Sequence, residues 1–508
     1  VTSTSPPPPP PVPARGALPS AHDELARLIR SRFAIVYVGT HEEARAEGII
    51  TGAARSCGRA TWTWSISEGL HQPGTPANSE DTRTPTTALE HVAGMRSDDV
   101  FVLRDMARHV EQEPRAERLL RDIARDSEAT IVLLGPHGAV PDALRHVAAT
   151  FDLPRPEPSL IDAHVRARLA TAMREHGVRR ELDDQQVAQL AGHMRGLTLE
   201  QVDQVLAHLL HDDGVLDGVD LARALEEKSR LLAATGVLEL QFPTQGMEWV
   251  AGFDNLKAWV ASRQRAFEPE AVAFGLAPPR GLLLTGVPGC GKSFVAKAMA
   301  CTLQMPLLRL DAGSLYDSFI GASERNLREA LDTADALAPS VLWIDEIEKG
   351  FGSRGPSESD GGLGYRMLGT LATWMQERPR PVFLLATSND ITKLPPELTR
   401  QGRFDETFFV DLPDARSREH LYRLQLARNG RDHARFDCAA LASATDGFSG
   451  AEVEQSVTNA LYAAYAAGRD LVTDDILAEA AATRPLSRLN PTAIEAIRAW
   501  GARHARPA

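Results

Sequence analysis

The chain has 508 residues, more than one hydrophobic core holds, so two to four domains are expected. Its 43% hydrophobic and 24% charged residues are ordinary for a globular protein, and a net charge of -13 argues against a general nucleic-acid binder and an anionic membrane surface. The four cysteines (Cys57, Cys290, Cys301, Cys438) have no zinc spacing, no apolar run is long enough for a bilayer, and the first residues lack a signal peptide's apolar stretch; reduced thiols in a cytoplasmic protein are expected.

Residues 1–20 form a Pro-rich tail, extended as polyproline II over 6–11; it is either a docking peptide or simply solvated chain. Over 21–155 the apolar runs "FAIVYV" (33–38), "VFVL" (100–103) and "TIVLL" (130–134) alternate with amphipathic stretches such as "PRAERLLRDIAR" (114–125). That alternation predicts an α/β core with a parallel sheet. "EGLHQPGTPANSEDTRTPTT" (68–87) is rich in turn formers and reads as a mobile surface insertion. Residues 156–240 carry helical periodicity and read as a lid.

The same order then returns. "GLLLTG" (281–286), "VLWIDE" (341–346) and "VFLLAT" (382–387) are strands of a second α/β core over 241–413, and 414–508 is helical. "PLSRLNPTAIEAIRAWGARHARPA" (485–508) reads as one helix packed on the preceding ones. "TIVLLG" falls on "VFLLA", and "LAGHMRGLTLEQVDQ" (190–204) on "LASATDGFSGAEVEQ" (441–455), at one offset. "FDLP" (151–154) falls on "VDLP" (410–413) once the first half is taken as eight residues shorter. Ordered matches at nearly one spacing predict a duplicated core-plus-lid unit.

"GVPGCGKS" (286–293) fits G-x-x-x-x-G-K-[ST] directly after a strand and before the helical "FVAKAMACTL". Gly286, Gly289 and Gly291 permit a backbone that side chains would block, so the amides of Gly286, Val287, Pro288, Gly289, Cys290, Gly291, Lys292, Ser293 and Phe294 (Pro288 excepted, having none) surround one point and cradle phosphate oxygens. Lys292 supplies charge to the β- and γ-phosphates, and the Ser293 hydroxyl is placed for Mg²⁺. Asp345 ends its strand facing this loop and holds the metal, and Glu346 is the base for the attacking water. Two adjacent acids otherwise cap a helix; the upstream phosphate loop decides against that. Asn389, in "ATSND" (386–390), ends a strand beside them and reaches the water or γ-phosphate. Arg400 and Arg403, in "PPELTRQGRFDE" (395–406), would by themselves be solvated charge.

With these residues in place, 245–480 resembles the AAA module of the AAA+ superfamily. The whole chain is similar to the Ycf46-like bacterial and plastid ATPases, through "RLDAGSL", "LWIDEIEKGF" and "PPELTRQGRFDE". The resemblance implies tandem P-loop (AAA+) modules, ATP and Mg²⁺ as ligands, and ATP hydrolysis in a homo-oligomeric, hexameric ring. It makes 286–293 Walker A, Asp345 and Glu346 Walker B, and Asn389 sensor 1. Arg400 and Arg403 become arginine fingers acting on the neighbouring subunit's γ-phosphate. Gly450 and Ala451, in "GFSGAEVE" (447–454), and Gly252, in "VAGFDNL" (250–256), lie near the adenine. Phe319, Ile320 and Gly321 match the first pore loop, which grips a polypeptide in the channel; a Phe there is otherwise core. The polar "GSRGPSESDGGLG" (352–364) corresponds to a second pore-facing loop. The implied function is ATP-driven remodelling of a protein client. The alternative is a nucleotide-gated scaffold with slow hydrolysis.

The first copy is degenerate. "THEEARAEG" (40–48) stands where a phosphate loop belongs, and Glu42 and Glu43 would repel phosphate. At "VFVLRD", either Arg104 replaces the metal-binding Asp, or Asp105 matches it and Met106 replaces the base. Gly138 falls on the sensor position, and the shortening removes the arginine stretch.

Overall fold

The computed structural model describes residues 20–75, 80–135, 140–211, 214–233, 237–267, 269–313, 315, 322–351, 363–378, 380–400 and 402–508. They form two compact units, divided after Pro154.

The first unit is built on a six-stranded sheet: β1 (Ile35–Gly39), β2 (Thr61–Ser65), β3 (Gly69–His71), β4 (Val100–Arg104), β5 (Thr130–Gly135) and β6 (Ala148–Asp152), in the order β3-β2-β4-β5-β1-β6. All pairings are parallel except β2 with β3. The central strands are apolar throughout because helices cover both faces. Ile35, Tyr37, Phe101, Leu103, Ile131 and Leu133 enter one core, and Val36, Val38, Val100, Val102, Val132 and Leu134 the other. This is the two-residue alternation of a pleated strand.

The segment expected as a mobile insertion is instead tied to the sheet. β3 pairs with β2, the Leu70 amide donates to Thr82 Oγ1 at 2.8 Å, and the Trp64 indole donates to the Thr82 carbonyl at 2.7 Å. A buried indole N–H needs an acceptor. Thr82 provides it from a stretch whose composition looks like open loop.

The second unit opens with the helices Pro158–His176, Asp184–His193, Leu199–His211 and Gly218–Ala233, which include the short parallel pair β7 (Arg179–Arg180) and β8 (Val215–Leu216) between them. The larger sheet follows: β9 (Leu238–Gln241), β10 (Gly281–Gly286), β11 (Leu307–Asp311), β12 (Ser340–Asp345), β13 (Val382–Ser388), β14 (Glu406–Val410) and β15 (Arg506–Pro507), in the order β15-β14-β10-β13-β12-β11-β9. Only β9 is antiparallel. Without β3 in the first sheet and β9 and β15 in the second, both sheets follow the chain identically: the second, third, fourth, first and fifth parallel strands lie side by side. The duplication is therefore visible in topology.

The four opening helices share a hydrophobic core with this sheet: Ile161, Val165, Leu190 and Leu206 belong to the cluster that holds Leu310, Ile344 and Leu384. The helices Ala415–Arg428, Cys438–Ala444, Gly450–Ala466 and Thr473–Ala482 form a lid with its own core around Tyr422, Leu441, Val453 and Val457.

The C-terminal stretch is not one helix on the lid. Leu486–Leu489 stays near the lid, where the Leu486 amide donates to Glu452 Oε1 at 2.7 Å. Pro491–His504 then lies along the sheet, and β15 extends β14. Asn490 and Pro491 break the helical run. Gly501 lets the second helix approach closely, since a Cβ there would fall 2.3 Å from the Phe409 ring.

Candidate active site

β10 leads into the glycine-rich loop and then the Lys292–Thr302 helix. Gly286 has φ +140°, and a Cβ on it would sit 2.0 Å from the Val410 carbonyl oxygen, so only glycine fits against β14. The Val287 amide donates to that carbonyl at 2.9 Å, and its side chain is buried. These two residues seat the loop. Pro288 to Phe294 line a cavity of about 1230 Å³ together with Gly252, Asp345, Glu346, Asn389, Gly450 and Ala451.

Lys292 is only 6% exposed. Its ammonium donates to the carbonyls of Gly286 and Val287, each at 2.9 Å, curling the loop around it. Burial holds its pKa down at about 8. Burial also pushes the Cys290 thiol up to about 12, so this loop cysteine is not a nucleophile.

Ser293 Oγ donates to Asp345 Oδ1 at 3.3 Å, and Thr387 Oγ1 donates to the same oxygen at 2.6 Å. The other carboxylate oxygen faces Arg309 Nη2 at 3.6 Å, and that guanidinium also lies over the Trp343 ring at 5.3 Å. A hydroxyl and a carboxylate at this separation are hard oxygen donors of the kind Mg²⁺ takes, and Lys292 beside them suits phosphate, so these residues fit Mg²⁺·ATP.

Glu346 follows β12 with φ +49°, in the left-handed region. Its amide donates to Thr387 Oγ1 at 3.1 Å. Asn389 Nδ2 donates to Glu346 Oε1 at 2.8 Å, and the Asn389 amide donates to Glu348 Oε1 at 2.9 Å. Lys349 is ion-paired with Glu346 Oε2.

The lid meets the loop directly. Ser449 and Glu452 form a capping box at the start of Gly450–Ala466, and the Ala451 amide donates to the Gly289 carbonyl at 2.9 Å. Gly252 has φ +73° and backs onto Ser417 of the first lid helix. The C-terminal stretch completes the enclosure with Arg498, Gly501, Ala502, Ala505, Pro507 and Ala508.

Arg400 is exposed; Arg403 is half-buried and donates to the Glu397 carbonyl. Neither lines the cavity. Phe319, Ile320 and Gly321, the stretch 352–362 and Gly138 lie outside the described residues.

Sequence reasoning missed Thr387, Glu348, Lys349, Arg309 and the C-terminal wall. The three-residue step from Glu346, just before the Ile347–Phe351 helix, to Lys349 on it was a usable signal, since a residue at a helix start can reach one in the first turn. The other contacts cross between strands and had none.

In the first unit, Asp105 has φ +54° and immediately precedes the Met106–Gln112 helix, as Glu346 precedes Ile347–Phe351. This settles the register: Arg104 stands where Asp345 does. Its guanidinium pairs with both oxygens of Glu47, at 2.5 and 2.8 Å, on the helix that would follow a phosphate loop. Glu42, which is buried, pairs with Arg45 at 2.7 Å. Ion pairs therefore occupy the positions that correspond to the phosphate loop and the metal-binding Asp.

Residues 282–412 match the family model described as ATPase family associated with various cellular activities (AAA). Residues 21–153 match the N-terminal domain of SpoVK-like AAA ATPases, and 161–235 their second domain. The chain is 33% identical over 487 residues to a protein of Trieres chinensis described as an uncharacterized AAA domain-containing protein ycf46, covering 94% of this chain and 96% of that one. It is 32% identical over 483 residues to the protein of the same description in Pyropia yezoensis, covering 94% and 96%. With the human ATPase family gene 2 protein homolog A it shares 30% identity over 271 residues, 51% of this chain and 30% of that one. The chain belongs to the AAA ATPases, in the group of the ycf46 AAA domain-containing proteins.

Proposed function

We propose that the chain hydrolyses ATP with Mg²⁺ in a homo-oligomeric ring, hexameric by analogy with its family, and uses the cycle to remodel a protein client. The observation that carries this reading is the convergence of Lys292, the Ser293–Asp345 pair and the Glu346–Asn389 pair on one cavity closed by the lid. Bound Mg²⁺·ATP supplies the scissile phosphoanhydride and the cation that offsets its charge. Lys292 exchanges its two carbonyl partners for phosphate oxygens. Ser293 and Asp345 offer oxygens to the metal. Glu346 orients the attacking water and accepts its proton, with Asn389 fixing the carboxylate.

The exposure of Arg400, and the absence of both arginines from the cavity of their own chain, support a role on a neighbouring subunit. Such fingers contribute about 10³–10⁵ in turnover. Arg403→Ala should therefore bind a fluorescent ATP analogue nearly as wild type and lose most phosphate release, measured where the chain self-associates. Undiminished release would refute the ring mechanism.

The division into tail (1–20), degenerate core (21–155), its helical segment (156–240), ATPase core (241–413) and lid with C-terminal stretch (414–508) belongs to this proposal, as does a cytoplasmic setting. Among the described residues no helix is long and apolar enough to cross a membrane. The ion pairs that stand in place of a nucleotide site in the first unit favour a second reading, a nucleotide-gated scaffold with slow turnover. Phe319→Ala separates the two: loss of client processing with basal hydrolysis retained supports threading, and no effect supports the scaffold.

A further inference from the structure

We propose that Lys349 is a positioning residue that holds the Glu346 carboxylate in a resting orientation, and that it must release Glu346 before the base can serve the attacking water. The inference rests on the ATPase reading of this site.

The two oxygens of Glu346 are held by different partners. Oε1 accepts from Asn389, and Oε2 is ion-paired with Lys349. The two partners differ in how firmly they are fixed. Asn389 follows β13 and its own amide is anchored on Glu348, so its side chain starts from a fixed point. Lys349 sits on the short Ile347–Phe351 helix, is 64% exposed, and reaches Glu346 through a flexible four-carbon stem. Glu346 and Asn389 line the nucleotide cavity; Lys349 does not. Lys349 therefore holds one carboxylate oxygen from outside the cavity, where a nucleophilic water would need it turned inward. Of the two restraints it is the one that can leave, because ordering a long exposed side chain offsets most of what such a pair gains. Asn389 then keeps Glu346 aligned when Lys349 departs.

The test uses the full chain and the variants Lys349→Met, Lys349→Arg, Glu346→Ala and the double variant Lys349→Met with Glu346→Ala. Thermal unfolding without nucleotide reads the coupling between the two positions as a double-mutant cycle. The same cycle is repeated with Mg²⁺ and a non-hydrolysable ATP analogue. Coupling should be present without nucleotide and shrink with it. Steady-state phosphate release should show kcat raised about two- to fivefold in Lys349→Met, the scale of an exposed ion pair, with KM unchanged. Lys349→Arg should stay near wild type. The inference is overturned if Lys349→Met turns over at or below the wild-type rate, or if coupling is absent or persists undiminished with the analogue. Wild-type turnover in Glu346→Ala would instead sink the assignment of the base, and the role of Lys349 with it.

Discussion

Arg104→Ala probes the claim that the first unit has exchanged a metal site for an internal ion pair. Arg104 and Glu47 are 28% and 18% exposed, and both guanidinium bonds are well formed. Truncation leaves Glu47 and Glu68 without this cation, with Glu43 nearby. Breaking an exposed pair costs about 0.2–1 kcal/mol and a buried one about 3–5. At intermediate burial the expected loss is about 2 kcal/mol, which for a unit of this size lowers its melting temperature by about 6–8 °C. Calorimetry on the full chain reads the shift, and hydrogen exchange in the Glu43–Ser56 helix localises it. Replacing Glu47 with Gln in the same chain should recover part of the loss, because the less exposed of the two carboxylates that Arg104 pairs with is then neutral, and Glu68, the other, is 42% exposed. ATP stoichiometry should stay at one per chain, and turnover should not change. An unshifted first unit, or loss of bound nucleotide, would refute the substitution of ion pair for metal site.

What the sequence discloses about this fold depends on how local the cause is. Gly286, Gly289 and Gly291 are legible because the loop needs backbone angles that glycine alone takes easily, and Lys292 and Ser293 follow at fixed steps. The strands are legible because both faces of each sheet are covered, leaving uninterrupted apolar runs. β15 is not legible, since two residues carry no periodicity and its partners are β14 and the distant Asn255, which donates to the Pro507 carbonyl. The register at Arg104 was ambiguous for a related reason. The left-handed angle at Asp105 that resolves it is imposed by the turn and leaves no compositional mark. The segment 68–87 misled because its two informative contacts, to Thr82, come from strand residues outside or at the margin of the stretch. Within the site, the contact of Arg309 with Asp345 depends on the pairing of β11 with β12, which no one-dimensional pattern reports.

Two further tests address the scaffold around the site. Gly286→Ala should lower the melting temperature and cut ATP affinity at least about tenfold, from the clash with Val410 added to about 1–3 kcal/mol of backbone strain; Gly291→Ala, whose Cβ meets nothing within 4 Å, should destabilise less, and equal losses would show that crowding at β14 is irrelevant. Asp335→Asn should stabilise the protein at neutral pH. Burial raises Asp335 to about 6 even though the Trp374 indole donates to it at 2.8 Å, so the native state holds this proton more tightly than the unfolded chain. The stabilisation from that proton is complete below about pH 4 and is lost as pH rises through 6, up to about 3 kcal/mol by pH 7. Asn keeps an acceptor for Trp374 without the charge, so urea unfolding of variant and wild type should coincide near pH 4 and diverge in the variant's favour above pH 6. A constant difference across that range would show that the Asp335 carboxylate is not desolvated.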